Sequence, residues 1–442
     1  VTTLSSFFSA NGALARVLSD YKPRSSQIEM AEVIYDAIEN QRNIIAEAGT
    51  GTGKTFAYLA PVLLSGKKTV VSTGTKNLQD QLFNKDLPLI RKALKTPFTS
   101  VLLKGRSNYL CTYRLDNAMD SNLGFGREEA AALAKIKSWA KRTKTGDIAE
   151  MTEVGEGDPV WYMATSSADN CLGQDCPNYD DCFLIKTRKQ AMAADLLVVN
   201  HHLLCADWSI RDGGFGELLP NAEVIIVDEA HQLAEIASNF LGTHVGGKQI
   251  LDLAADTLFE FYKSATDLPE LRQACEILEK DVKDLRLAFG IELKRGEWQD
   301  LVGNKTVMDG LHSLQQQLEL LVGQLKLASV KSKELDLCYQ RAQALTDNLN
   351  VLLNDNAGQW IRWYETHRKT FTLSRSPLDI AGEFKAFIQQ HSASWVFTSA
   401  TLSVAESFAH FTDSLGLGDI ESRHWESPFD FQDLSLFYHP KG

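Results

Sequence analysis

The chain has 442 residues, room for about three domains at roughly 150 residues each. At 44% hydrophobic and 23% charged it is too apolar for a disordered segment and too varied for collagen or one long coiled coil. Lys and Arg number 45 against 57 Asp and Glu, and the resulting net charge of −12 argues, taken alone, against a nucleic-acid partner, because phosphate backbones ask for a basic footprint. No apolar run reaches the ~20 residues of a membrane span, and the opening VTTLSSFFSANGALARVL lacks a charged stretch leading into an apolar one. A soluble, cytoplasmic protein with no membrane partner is expected.

In chain order, SQIEMAEVIYDAIEN places Ile28, Ala31, Ile34 and Ile38 on one face of a predicted helix. A short buried strand, NIIAEA, follows, then AGTGTGKT, then a second helix, FAYLAPVLL. Further nearly all-apolar strands are predicted at KTVVST (68–73), VLLK (101–104), LLVVN (196–200), VIIVDEA (224–230) and WVFTSAT (395–401). Short apolar strands alternating with helices imply an α/β fold around a parallel sheet buried on both faces. Two stretches interrupt the rhythm: 105–185 is basic and polar and holds four cysteines, and 236–385 reads as long helices. There Leu311, Leu314, Leu318, Leu321 and Leu325, followed after SVKSK by Leu335, Cys338, Ala342, Leu345, Leu349 and Leu352, predict an antiparallel helical hairpin with an apolar seam.

The segment Ala48–Thr55 fits G-x-x-x-x-G-K-[ST], with Ala48 in place of the first glycine. Between a strand and a helix, Ala48, Gly49, Thr50, Gly51, Thr52 and Gly53 can turn backbone N–H groups onto phosphates, Lys54 can reach the β- and γ-phosphates, and the Thr55 hydroxyl can ligate Mg²⁺. The second element is VIIVDEAH, a buried strand that delivers Asp228 and Glu229 to the crevice where open α/β sheets bind ligands. Asp228 can hold Mg²⁺ through water and Glu229 can polarise the water that attacks a γ-phosphate, so Lys54, Asp228 and Glu229 are the candidate catalytic set for ATP hydrolysis. DEAH by itself is equally an ordinary strand-to-helix cap; its pairing with an upstream phosphate loop gives it the chemical reading.

Cysteines 111, 171, 176 and 182 form one remote residue followed by C-x4-C-x5-C. Four thiolates can hold tetrahedral zinc or an iron–sulfur cluster, and the loose spacing leans toward the larger group. With seven cysteines in all and no export signal, Cys205, Cys275 and Cys338 read as small buried hydrophobes. Around the first ligand, Lys104, Arg106, Tyr109, Tyr113 and Arg114 mix cations with aromatic rings, as do Lys135, Lys137, Trp139, Lys141, Arg142 and Lys144, and Lys186, Arg188 and Lys189 follow the last. Such surfaces neutralise phosphates and stack on bases of a single strand, which answers part of the charge objection.

The order PRSSQIEMA, EAGTGTGKT, STGTKNLQDQL, KGRSNYLC, ADLLVVNHHLL, VDEAHQL, TSATL and ESPFDFQ resembles the XPD/DinG family of superfamily 2 helicases, and its bacterial YoaA branch in particular. The resemblance implies a RecA-like P-loop NTPase lobe interrupted by an iron–sulfur domain and a helical arch. It implies motor-lobe segments at 1–104, 186–235 and 386–425, a [4Fe–4S] domain at 105–185 ligated by Cys111, Cys171, Cys176 and Cys182, an arch at 236–385, and the start of a second lobe at 426–442. It also implies ATP-driven 5′→3′ movement on single-stranded or forked DNA in repair or fork-damage tolerance, and a contact with the DNA polymerase III chi subunit. Carried over by position, Arg24, Gln27 and His231 join the nucleotide side; Thr73, Thr75, Gln79, Lys104, Arg106, Tyr109, Ser399 and Thr401 join the DNA side.

No Q-x-x-G-R-x-x-R segment follows Thr401, so most of the second, arginine-bearing lobe is expected to be absent, with weak ATP and DNA binding and negligible unwinding by these residues alone. Two other readings stay open on the residues: a redox-responsive iron–sulfur nucleic-acid-binding module without helicase activity, and a P-loop ATPase acting on RNA or protein.

Overall fold

The computed structural model describes residues 3–120, 126–212, 218–354 and 360–429. The chain divides into two units: Val1–Lys104 with Thr187–Phe240 and Asp379–Gly442, and Gly105–Lys186 with Leu241–Leu378.

The first unit is built on strands β1 (Ile44–Ala48), β2 (Thr69–Thr73), β3 (Ser100–Leu102), β4 (Leu196–Asn200), β5 (Val224–Asp228), β6 (Ser394–Ser399) and β7 (Glu421–Trp425). They form one seven-stranded sheet in the order β7-β1-β6-β5-β2-β4-β3, and every pair is parallel. Strands β1, β2, β5 and β6 are buried along their whole length, as expected of a sheet covered on both faces. On one face Ile34 and Ile38 of helix α1 (Ser25–Glu39) and Tyr58, Leu59 and Val62 of helix α2 (Lys54–Ser65) meet Ile44, Val71, Val198, Ile226 and Val396. Elsewhere in this unit Trp208, Phe384, Phe387, Trp395 and Phe397 form an aromatic cluster with ring centroids 5.1–6.2 Å apart. The sequence did not announce β7: ESRHW has no apolar run because, among the described residues, it lies at the sheet edge and pairs with β1 alone.

The second unit combines the cysteine segment with helices α3 (Gly247–Ser264), α4 (Pro269–Ala288), α5 (Lys305–Ala328) and α6 (Lys333–Asn354). The expected hairpin is α5 and α6, and its seam leucines, with Cys338 and Ala342, are all buried. The 236–385 stretch is not helical throughout, however. Thr243–Gly246, Phe371–Pro377, Trp360–Thr366 and Arg295–Glu297 form a four-stranded antiparallel sheet in that spatial order. Its two long strands mix buried with partly exposed residues and interrupt their apolar positions with polar and charged ones such as Arg362, Glu365 and Arg375, so no continuous apolar run betrays them. Leu110, Leu115, Leu133, Ile136, Val160 and Trp161 give the cysteine segment its own small core. The cysteine segment and the helices of this unit are joined by a buried ionic network: Arg114 lies 3.1 Å from Asp256, and Arg341 reaches the other oxygen of Asp256 at 2.7 Å. Among the described residues, no helix is long and apolar enough to cross a membrane.

Candidate nucleotide-hydrolysis site

The phosphate loop leaves the carboxyl end of β1 and turns into α2 through Gly51 and Gly53, both left-handed with φ of +83° and +84°. A side chain at either position would be strained by the backbone and would also collide, at Gly51 with the Phe429 ring and at Gly53 with the Gln27 amide. Within the loop, the Thr52 hydroxyl donates to Gly49 O at 2.6 Å and Lys54 Nζ donates to Ala48 O at 3.1 Å. The lysine thus rests against its own loop with two further N–H donors left for a phosphate. The chain after β7 covers the loop: Gly49 N–H donates to Trp425 O at 3.0 Å and Ser427 Oγ donates to Thr50 O at 2.8 Å.

Gln27 is buried; its Nε2 donates to Gly53 O at 3.0 Å and its Oε1 accepts from the Tyr21 hydroxyl at 3.0 Å. Its amide therefore braces the phosphate loop. Arg24 stands at the start of α1 with its guanidinium 5.8 Å from the Phe429 ring.

Strand β5 ends in Asp228, which is 8% exposed and accepts a hydrogen bond from the Tyr58 hydroxyl at 2.9 Å. Tyr58 sits one turn beyond Lys54 on α2, so one tyrosine joins the phosphate-loop helix to the acidic strand end. Burial, with the Glu229 charge next to it, pushes the Asp228 carboxyl up to about 6. Glu229 has φ of +55°, an uncommon conformation for a residue other than glycine, and its N–H donates to Asp228 Oδ1 at 3.0 Å. His231 Nδ1 lies 2.8 Å from Ser399 Oγ and 3.5 Å from Glu229 Oε2, and Ser399 Oγ lies 3.5 Å from that same oxygen. Fold and sequence order thus bring Glu229, His231 and Ser399, from two neighbouring strands, into one hydrogen-bonded group.

The DNA-side candidates are placed unequally. Thr401 and Thr75 are exposed, Thr75 capping the helix Lys76–Gln81 by accepting from Leu78 N–H. Thr73, Gln79 and Ser399 are buried; Thr73 Oγ1 donates to Thr75 O and Gln79 Nε2 to Leu103 O. Lys104 is buried as well and pairs with Asp80 at 3.0 Å. In the second unit, Tyr109 is buried, and Arg106, partly exposed, donates from Nη1 to Cys171 Sγ at 2.8 Å. Arg114, grouped in the sequence with the surface cations, is instead spent on Asp256 and on the Tyr162 ring. Lys137 pairs with Asp116 and Lys186 with Asp181.

The four candidate ligand cysteines are partly exposed, whereas Cys205, Cys275 and Cys338 are buried. Burial pushes the Cys111 thiol up to about 11, and the neighbouring Cys171 and Cys176 add to the rise. Cys176 is raised by burial and by Cys171 and Cys182. All four sulfurs therefore share one electrostatic neighbourhood, with a guanidinium on one of them. Among the described residues, no group of three or more His, Cys, Asp or Glu side chains is arranged to hold a metal ion.

The DEAD/DEAH box helicase family matches residues 25–113. The ATP-dependent DNA helicase YoaA of Haemophilus influenzae is 43% identical over 439 residues, covering 99% of this chain and 69% of that protein. The chain belongs to the YoaA family of helicases. The ATP-dependent DNA helicase YoaA of Escherichia coli is 42% identical over 429 residues, covering 97% of this chain and 68% of its own length. A solved structure titled XPD_Helicase aligns with a TM-score of 0.47 at 14% identity, covering 93% of this chain and 63% of the other.

Within this YoaA-family chain, motif reading passed over two residues of the site. Tyr58 looks like one more apolar position of α2, and only its spacing of four from Lys54 marks it. Glu47 is a lone carboxylate in the otherwise apolar strand IIAEA; that break in an all-buried pattern is a signal that a buried charge has work to do.

Proposed function

We propose that the first unit is the ATP-hydrolysing lobe of a DNA helicase of the XPD/DinG type. The observation that carries this is the Tyr58 hydroxyl bridging from the phosphate-loop helix to Asp228, which sets the Lys54 loop and the Asp228–Glu229 strand end around one crevice. In this reading Lys54 and the N–H groups of Gly49–Thr55 hold the phosphates, Thr55 and Asp228 hold Mg²⁺, and Glu229 orients the attacking water. His231 and Ser399 then pass the state of the γ-phosphate toward Thr401 and Thr75 on the DNA side. Arg24 lies on the base side.

Motor segments at 1–104, 186–235 and 386–425, a cluster domain at 105–185 and an arch at 236–385 belong to the same reading, and the division of the chain into two units supports them. The proposed beginning of a second lobe, 426–442, lies outside the described residues from 430 onward. Cys111, Cys171, Cys176 and Cys182 fit a [4Fe–4S] cluster by donor chemistry, four partly exposed thiols of which Cys176 feels both Cys171 and Cys182 and Cys111 feels Cys171 and Cys176, although the described side chains would have to close in to ligate it; Arg106 would offset the charge of the bound form. Such a cluster would supply a rigid anchor for the polypeptide around it. Movement 5′→3′ on single-stranded or forked DNA, a role in repair, a cytoplasmic location and a contact with the polymerase III chi subunit complete the proposal through resemblance to YoaA.

Phosphate release from ATP is the test. The full-length protein is expected to hydrolyse ATP faster with single-stranded DNA than without, and Glu229→Gln is expected to abolish turnover while retaining ATP binding. Equal or greater stimulation by RNA overturns the DNA assignment, and preferential opening of 3′-tailed duplexes by the full-length protein overturns the polarity. Stoichiometric zinc in place of iron and sulfide, after anaerobic purification, overturns the cluster.

A further inference from the structure

Glu47 ends β1 immediately before the phosphate loop and is 3% exposed. An isolated carboxylate at such a place is costly, so its partners have to be accounted for. Oε2 accepts the backbone N–H groups of Leu402 and Ser403, and Oε1 accepts the Ser403 hydroxyl and His424 Nδ1, each at 2.8 Å. One side chain thus collects four donors from two remote segments: the turn directly after Thr398–Thr401, and strand β7. These hydrogen bonds hold the carboxyl below its usual range in spite of burial. Strand β7 returns to the loop itself, since Trp425 O accepts Gly49 N–H.

No catalytic step asks for this carboxylate: its strand β1 is separated from the β5 acids by β6, whose continuation it grips. We propose that Glu47 is a positioning residue that couples the phosphate loop to the turn at Leu402–Ser403. Because the loop and the carboxylate are consecutive in the chain, a shift of Ala48 and Gly49 when phosphate enters pulls on two backbone N–H groups of the segment that carries Ser399 and Thr401. A neutral amide in its place keeps the size but removes the charge and one of the two acceptor oxygens, so the charge-assisted bonds to Leu402 and Ser403 weaken without a cavity. The inference rests on the functional reading above, since it gives the nucleotide site its route to the DNA-side turn.

Amide hydrogen exchange tests it on the 442-residue chain, as wild type, Glu47→Gln and Lys54→Ala, with and without Mg²⁺ and ATPγS. Without nucleotide, Leu402 and Ser403 N–H groups should exchange about tenfold or more faster in Glu47→Gln, and at the wild-type rate in Lys54→Ala. With nucleotide, the change in protection across 398–403 should vanish in Glu47→Gln although ATPγS affinity stays within about threefold of wild type. Wild-type protection of Leu402 and Ser403 in Glu47→Gln, or an undiminished nucleotide-induced change, overturns the proposal. If Glu47→Gln does not fold, the double variant Ser403→Ala/His424→Ala deletes both donors to Oε1 and frees the carboxylate to rotate, and an undiminished nucleotide-induced change in protection across 398–403 overturns it equally. A wild-type chain that does not bind ATPγS overturns the functional reading instead, and the tie is then judged by the nucleotide-free rates.

Discussion

Asp228 in the first unit and Asp256 in the second are buried to the same degree, 8% and 9% exposed, yet their carboxyls move in opposite directions. Asp228 has a tyrosine hydroxyl and a neighbouring glutamate for company, and burial raises it to about 6. Burial also pushes Asp256 upward, but the guanidiniums of Arg114 and Arg341 outweigh it and hold the carboxyl below its usual range. Among the described residues the first carboxylate makes no ion pair, and the charge that pulls it down is that of the more distant Lys54, an arrangement compatible with the proposed metal-binding role. The second has consumed two cations and is structural. Buried charge of one residue type is thus left without a guanidinium in the parallel-sheet unit, where the proposed reading gives it Mg²⁺, and serves cohesion in the helical unit.

The largest expected effect lies in the second unit. Replacing any one of Cys111, Cys171, Cys176 or Cys182 by Ser should remove the iron and its visible absorbance and loosen residues 105–186, with ATP binding by the first unit retained; simultaneous loss of nucleotide binding would erase the contrast between the units. Next, Asp256→Ala leaves two buried guanidiniums without their carboxylate and should cost about 3–5 kcal/mol in denaturant unfolding. Lys54→Ala should slow ATP turnover at least about a hundredfold, roughly 2.7 kcal/mol in transition-state stabilisation, with no change in unfolding midpoint.

The smallest effect concerns Glu260, whose Oε2 is buried with no hydrogen-bond partner among the described residues and whose carboxyl burial raises to about 7. A raised carboxyl favours the folded state fully below its unfolded value near 4.5 and loses that advantage as pH climbs through about 7. Glu260→Gln should therefore stabilise the second unit at pH 8 by up to about 2 kcal/mol and change little at pH 4, read as the shift in thermal midpoint. A destabilised Glu260→Gln at pH 8 would mean that this carboxylate, like that of Asp256, has a cation in hand.

Much of the first unit is legible in the sequence because its signals are local. Five-residue apolar runs become β2, β4 and β5 within a residue or two of where composition places them, and the glycines at 51 and 53 are where the left-handed turn requires them. The leucine spacing of α5 and α6 likewise gives the hairpin directly. Edge strand β7 and the four-stranded antiparallel sheet were not legible, since partly exposed strands interrupted by polar and charged residues carry no apolar run to mark them.

For the site, residue order marked Lys54, Asp228, Glu229 and the four cysteines, because a chemistry that needs a given side chain at a given spacing leaves a trace along the chain. Composition and spacing by themselves determined an α/β phosphate-binding lobe with a cysteine insert and a helical insert. Tertiary structure alone decided which charges are spent and which are free. Arg114, read among surface cations, is buried on Asp256, and Lys104 is buried on Asp80. Glu47 finds donors at positions 402, 403 and 424, more than 350 residues away. The physical reason is that a hydrogen bond or ion pair depends on a separation of a few ångströms in space, which chain distance does not encode, whereas strand burial and loop geometry depend on neighbours in sequence.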